Sequence, residues 1–270
     1  MSKIKLIVID LDGTCHIKFA GPHPGNFEAI KKAHDEYGVK VVFATGRTYY
    51  THFNEFNKLG NLKDGDYYVA SFNGANIRNL ATNTEIKKSV ISNEMTKWLW
   101  NYVDTENRFS VMSYSADNFD VIYSADKALI EVEKVFCHPD AKYLLSTELK
   151  EFPNSYKFLF FGFTKEDKKI LEDKGFHVQW EPGGVAEINA KDINKGFVVD
   201  YFCGMLKINH SEVLAMGDGA NDVASLNVAG YSVCPANSGP AAKAAAKTVS
   251  KYTDAEGCVA KTIEELIFNK

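Results

Sequence analysis

Ile4-Lys5-Leu6-Ile7-Val8-Ile9-Asp10-Leu11-Asp12-Gly13-Thr14 is the stretch that decides the fold. A short β-branched apolar run ends in an acid, a second acid follows two residues later, and then a glycine lets the backbone turn. Such a run reads as a strand buried on both faces. Downstream, Gly21, Pro22, Pro24 and Gly25 mark a turn. Residues 26–37 then have helical spacing, with Phe27, Ile30 and Ala33 on one face, and Gly38 ends the helix. Val39-Lys40-Val41-Val42-Phe43-Ala44 is a second strand, a helix after Arg47 leads to Gly60, and Tyr67-Tyr68-Val69-Ala70 is a third. Apolar strands alternating with helices predict a doubly wound parallel sheet, an α/β fold.

The rhythm changes near residue 82. A helix over 93–104, short strands over 108–114 and 119–123, a helix around 125–136 and an aromatic strand over 155–163 follow. A polar helix over 165–174 and the strand His177-Val178-Gln179-Trp180-Glu181 come next, punctuated by Pro182-Gly183-Gly184. From residue 192 the first pattern resumes, with the strands Val213–Met216 and Tyr231–Cys234 and helices over 194–206, 221–228, 240–246 and 256–267. The expected organisation is a core of residues 1–82 and 186–270, interrupted by an inserted α/β module of residues 83–185.

Composition narrows the function. The formal net charge of −4 gives no sign of a nucleic-acid or anionic-membrane partner. No apolar run approaches the ~20 residues of a membrane span, and Met1-Ser2-Lys3-Ile4-Lys5 lacks the apolar stretch of a signal peptide. Cys15, Cys137, Cys203, Cys234 and Cys258 are odd in number, scattered and without a C-x-x-C pair. That argues against a disulfide framework or a zinc site and fits the cytoplasm.

Four short motifs carry chemistry. In doubly wound folds ligands bind beyond the carboxyl ends of the strands, where Asp10-Leu11-Asp12-Gly13-Thr14 falls. Asp10 could act as a nucleophile toward phosphorus and Asp12 as general acid and base. Thr45-Gly46-Arg47 ends the second strand at a helix start, where a hydroxyl and free N–H groups suit a phosphate oxygen. Lys195 begins a helix, a position that calls for a nearby anion. Gly217-Asp218-Gly219-Ala220-Asn221-Asp222 again joins a strand to a helix. Asp218 could give a second carboxylate to magnesium, Asn221 could bond a phosphoryl group, and Asp222 could orient Lys195 or a metal-bound water. Each motif alone also reads as a turn, a helix cap or a surface lysine. Together they converge on one rim.

At this point the sequence resembles the haloacid dehalogenase-like hydrolase superfamily, in particular its Cof-type sugar-phosphate phosphatases. The D-x-D-G-T, T-G-R, K-G and G-D-x-x-N-D elements stand in the family's order. The resemblance extends to Ser71-Phe72-Asn73-Gly74-Ala75, Ala186-Glu187-Ile188 and Glu256-Gly257-Cys258-Val259-Ala260. It implies a magnesium-dependent phosphoric monoester hydrolase acting on a small phosphorylated metabolite, with a substrate-selecting cap between the second and third motifs. It implies magnesium held by Asp10, the Asp12 backbone carbonyl and Asp218, and the phosphoryl group bound by Thr45, Lys195 and Asn221. The chain departs from the family at Cys15-His16, where leucines are usual. The expectation is a small buried thiol and a solvated loop histidine, with substrate contact by His16 as the alternative.

The rivals are a phosphomannomutase-like phosphotransferase and a non-catalytic phosphate-binding module. The first would carry several cap arginines, and residues 82–190 hold only Arg108. The second would tolerate loss of Asp10, Asp12, Asp218 or Lys195, and all four are present. Tyr123, His177, Trp180 and Glu181 are the cap residues that could face a substrate, and the aromatic strand reads as cap core.

Overall fold

The computed structural model describes residues 4–18, 20–60, 62–63, 65, 67–136 and 141–269, so Met1, Ser2, Lys3 and Cys137 lie outside the described residues. It divides into two compact units, Met1–Lys87 with Asn194–Lys270, and Lys88–Ile193.

The first unit is built on an eight-stranded sheet. Its order is Thr248–Val249, Tyr231–Cys234, Val213–Met216, Leu6–Ile9, Lys40–Ala44, Tyr67–Ser71, Asn76–Asn79 and Glu85–Lys88. The first six strands are parallel, and Asn76–Asn79 runs antiparallel to Tyr67–Ser71. Leu6–Ile9 has Lys40–Ala44 on one side and Val213–Met216 on the other, so the strand order reverses beside it. A crevice for a ligand opens at such a reversal, at the carboxyl ends.

Both sheet faces are apolar because successive side chains alternate. Leu6, Val8, Val42 and Ala44 pack with Val198, Val199 and Phe202 of the helix Lys195–Leu206 and with Leu226 and Ala242. Ile7 and Ile9 are fully buried on the other face. There the helix Pro24–Tyr37 buries Phe27, Ile30 and Ala33, and Phe27 stacks on Phe43 with ring centroids 6.0 Å apart. Gly38 closes that helix in the left-handed conformation, φ 70°, as the sequence leads one to expect. The segment after Arg47 is a 3-10 helix, Tyr49–Leu59. Among the described residues no helix is long and apolar enough to cross a membrane.

The second unit holds a six-stranded sheet in the order Lys142–Leu145, Val121–Ser124, Ser110–Ser115, Ser155–Phe161, Ala186–Asn189 and His177–Gln179. Phe158 and Phe160 of the aromatic strand are fully buried with Leu99, Trp100 and Val103 of the helix Asn93–Glu106 and Leu171 of the helix Lys165–Asp173. That strand is core, as read from the sequence. The boundary expected at 185/186 needs correction. Ala186–Asn189 pairs with Ser155–Phe161 and with His177–Gln179. Pro182-Gly183-Gly184 therefore turns a hairpin within the second sheet. Likewise, the first boundary lies after residue 87, because Asn76–Asn79 and Glu85–Lys88 extend the first sheet.

Candidate active site

Strand register brings two of the motifs together. Ile9 lies opposite Met216, and the Asp10 amide donates to the Met216 carbonyl at 2.9 Å. Asp10 and Gly217-Asp218 thus leave the sheet side by side. Gly13 has φ 82°, a conformation suited to glycine. A Cβ there would lie 2.6 Å from Asp218 Oδ2, so only glycine lets this turn lie against that carboxylate. The Thr14 hydroxyl donates to Asp218 Oδ1 at 3.3 Å.

Lys195 comes from the first turn of its helix, which Asn194 caps through the amides of Gly196 and Phe197. The strand before it belongs to the second sheet, so of the four motifs this one does not follow a strand of the core sheet. Its ammonium nevertheless reaches the core motifs, donating to Asp10 Oδ1 and, at 2.6 Å, to Asp222 Oδ1. Lys195 and Asp222 are each 1% exposed and Asp10 is 6% exposed. The anion that a cation at this helix position requires is therefore a pair of carboxylates. Asp222 Oδ2 accepts from the amides of Asp218 at 3.0 Å and Gly219 at 2.9 Å. Both of its oxygens are occupied, which makes it a support for Lys195 and the 217–219 loop. No hydrogen bond reaches Asp10 Oδ2 among the described residues.

Oxygens of Asp10, Asp218 and Asp222 lie within 4.8 Å of one another. Burial pushes the Asp10 carboxyl well above the usual range, and Asp222 and Asp218 add to this while Lys195 opposes it. Burial also raises Asp218, again reinforced by Asp222. For Lys195, burial works against the charge, but Asp10 and Asp222 together hold the ammonium well above the ordinary lysine range. Three carboxylates around one ammonium leave the cluster short of positive charge. With Asp222 already engaged, Asp10 and Asp218 are the oxygen donors that fit a hard dication.

The second motif lies alongside. Thr45 is buried, and its hydroxyl accepts from the Arg47 amide at 3.1 Å, closing a turn through Gly46. The Asn73 amide donates to the Thr45 carbonyl at 2.9 Å, and Asn221 Nδ2 donates to Asn73 Oδ1 at 3.3 Å. Asn73, with φ 60°, therefore connects the second and fourth motifs. Asp12 stands apart from the carboxylate cluster. Arg47 Nε donates to Asp12 Oδ2 at 2.7 Å, with the side chains 30% and 38% exposed.

Sequence reasoning missed the Thr14 hydroxyl, although its place inside D-x-D-G-T was a signal, and the Asn73 link, which needed the fold. His16 is a correction. It is 3% exposed, with Nε2 2.9 Å from Glu55 Oε2, so it is a buried residue of the short strand His16–Ile17, paired to the 3-10 helix. Cys15 is fully buried, as expected, and burial raises its thiol far above the reactive range. In the second unit Trp180 packs edge-on against Phe163, with centroids 5.7 Å apart, and Tyr123 packs on the same core. His177 is half-buried, which lowers its pKa, and Glu181 is exposed.

Comparison with known proteins finds relatives over nearly the whole chain. The 5-amino-6-(5-phospho-D-ribitylamino)uracil phosphatase of Bacillus subtilis is 27% identical over 98% of this chain and 96% of its own length. The phosphoglycolate phosphatase of Methanobrevibacter smithii is 27% identical over 98% and 99%. A haloacid dehalogenase-like hydrolase of Bacteroides thetaiotaomicron superposes with a TM-score of 0.77 at 25% identity, over 98% of this chain and all of that one. A second, from B. subtilis, shares the fold with a TM-score of 0.82 at 23% identity, over 98% and 100%. The haloacid dehalogenase-like hydrolase family model matches residues 7–263, and the chain belongs to that family.

Proposed function

We propose that the protein is a magnesium-dependent phosphatase that transfers the phosphoryl group of a small phosphomonoester to Asp10 and then to water. The observation that carries this reading is the Lys195 ammonium shared by Asp10 Oδ1 and Asp222 Oδ1, with Asp10 Oδ2 taking no hydrogen bond among the described residues. One carboxylate oxygen is fixed and the other is left to attack, which is how a nucleophile is positioned. Magnesium, held by Asp10, the Asp12 carbonyl and Asp218, would supply positive charge to the transferring phosphoryl oxygens.

The remaining work falls to the chain's own groups. Asp10 Oδ2 attacks phosphorus, the bond to the leaving oxygen breaks, and Asp12 gives that oxygen a proton. Asp12 then takes a proton from water as the water oxygen attacks the phosphorus of the aspartyl phosphate, releasing phosphate and restoring Asp10. Lys195, the Thr45 hydroxyl, the Gly46 amide and Asn221 stabilise the equatorial oxygens, while the Arg47 amide holds the Thr45 hydroxyl in place. The relatives' named substrates are both small phosphomonoesters, one of them a ribityl phosphate. This supports a sugar or polyol phosphate as substrate, with residues 88–193 selecting the leaving group. The scattered, buried free thiols among the described residues fit a cytoplasmic protein.

The test is phosphate release from a panel of sugar phosphates, nucleotides and phosphorylated carboxylic acids. Excess chelator should abolish release and magnesium should restore it. Full turnover in excess chelator would contradict the reading.

A further inference from the structure

Asp254 precedes the helix Cys258–Ile263 and is 3% exposed. A buried carboxylate must be stabilised by donors, and here the donors come from separate loops. Oδ1 accepts from Asn237 Nδ2 at 2.9 Å and from the Ala255 amide at 2.8 Å. Oδ2 accepts from the Lys18 amide at 2.9 Å. The Asp254 amide in turn donates to Asn237 Oδ1 at 3.2 Å, so the two side chains grip each other both ways.

Both loops held by Asp254 end on Asp218. Asn237 lies two residues before Gly239, whose amide donates to the Asp218 carbonyl at 2.9 Å. Lys18 follows the short strand His16–Ile17, and the Gly13 amide donates to the His16 carbonyl at 3.0 Å. That turn carries Thr14, whose hydroxyl bonds Asp218 Oδ1, and Gly13, which packs against Asp218 Oδ2. One side chain therefore fixes the Asp218 backbone from one direction and its carboxylate from the other. We infer that Asp254 is a positioning residue that sets the direction of the Asp218 carboxylate without touching substrate. The inference rests on the reading of Asp218 as a metal-facing group. Groups behind a metal ligand commonly change metal affinity by roughly 10–100-fold when removed.

Asp254→Asn keeps the volume but turns one oxygen into a donor, so either Lys18 or the Asn237–Ala255 side loses its acceptor. Manganese serves as the probe, with binding to the enzyme followed by electron paramagnetic resonance and by calorimetry. Asp254→Asn should bind manganese roughly 10–100-fold more weakly than the wild type. Asn237→Ala, which cuts only the arm to Gly239, should fall near the tenfold end and carries the test if Asp254→Asn does not fold. Asp167→Asn removes a comparable buried hub in the second unit and serves as the control for general destabilisation. It should leave manganese affinity unchanged. Wild-type affinity in both first-unit variants, or equal weakening in the Asp167→Asn control, would overturn the role of Asp254 alone. A wild-type protein that binds no manganese would overturn the metal reading as well.

Discussion

Replacing Lys195 by methionine removes a charge while keeping most of the side-chain volume. The lysine is 1% exposed and bonds two buried carboxylates. Asp222 would keep its two amide donors at 3.0 and 2.9 Å. Asp10 would lose the only side-chain donor it has among the described residues and would stand uncompensated beside Asp218 and Asp222. Breaking a buried pair in this way costs about 3–5 kcal/mol. For a unit of this size that is a fall in melting temperature of roughly 6–20 °C. The double variant Lys195→Met/Asp10→Asn removes the stranded charge together with its partner, so it should regain a large part of the loss. Calorimetric melting of wild type, both single variants and the double variant in metal-free buffer measures the cycle. A Lys195→Met protein within about 0.5 kcal/mol of wild type, the usual range for surface changes, would refute the reasoning. So would a double variant whose losses simply add.

Other expectations separate local from global effects. Gly13→Ala and Gly38→Ala both place alanine at positive φ, at a cost of about 1–2 kcal/mol, but only the first meets Asp218, at 2.6 Å, whereas nothing lies within 4 Å of a Cβ at Gly38. A larger stability loss in Gly13→Ala than in Gly38→Ala is expected, with phosphatase activity lost only in Gly13→Ala, and equal activity in both would count against the close approach. Asp167 accepts from Arg108 Nη2 and the Tyr102 hydroxyl, each at 2.5 Å, and from the Thr164 amide and hydroxyl, each at 2.8 Å. Burial alone would raise its pKa, but these donors hold the carboxyl below the usual range. A depressed carboxylate stabilises the fold above its unfolded pKa of about 3.9 and loses that contribution as pH falls through the lower folded value. The melting difference between wild type and Asp167→Asn should therefore be constant above about pH 5 and shrink steadily below about pH 4; a difference that grows on acidification would be wrong in sign.

How much was legible in the sequence depended on where each signal lay. Asp10 and Asp218 could be placed because each ends a fully apolar strand, and such strands in a parallel sheet end on one rim. Asn76–Asn79, with the sequence Asn-Ile-Arg-Asn, gave no such pattern, because two of its three buried residues are asparagines and not apolar side chains. Ala186–Asn189 was given to the core because the family motif continues directly into Lys195. The Pro-Gly-Gly turn before it was the better local guide, pairing it with His177–Gln179. His16 looked solvated because it sits in a polar, turn-rich segment, and its partner Glu55 is far away in sequence. Arg108, which stood out as the only arginine of residues 82–190, is engaged with Asp167 and the Gly162 carbonyl. That leaves it a structural residue of the second unit and gives no support to a phosphotransferase that must hold a second phosphate. The Asp12–Arg47 pair and the Asn73–Asn221 link are contacts between motifs, invisible until the fold brings them together.

The central claim is that Asp10 carries the phosphoryl group while Asp12 handles protons, and trapping the intermediate tests it most directly. In Asp12→Asn the nucleophile remains, and p-nitrophenyl phosphate needs no proton for its leaving group to depart. The first step should survive while hydrolysis slows by the roughly 10²–10⁴-fold that a general base contributes. Rapid quench and mass spectrometry should then find an acid-stable, base-labile phosphate on Asp10, and Asp10→Asn should form none. A phosphate on any other residue, or wild-type turnover in Asp10→Asn, would contradict the account.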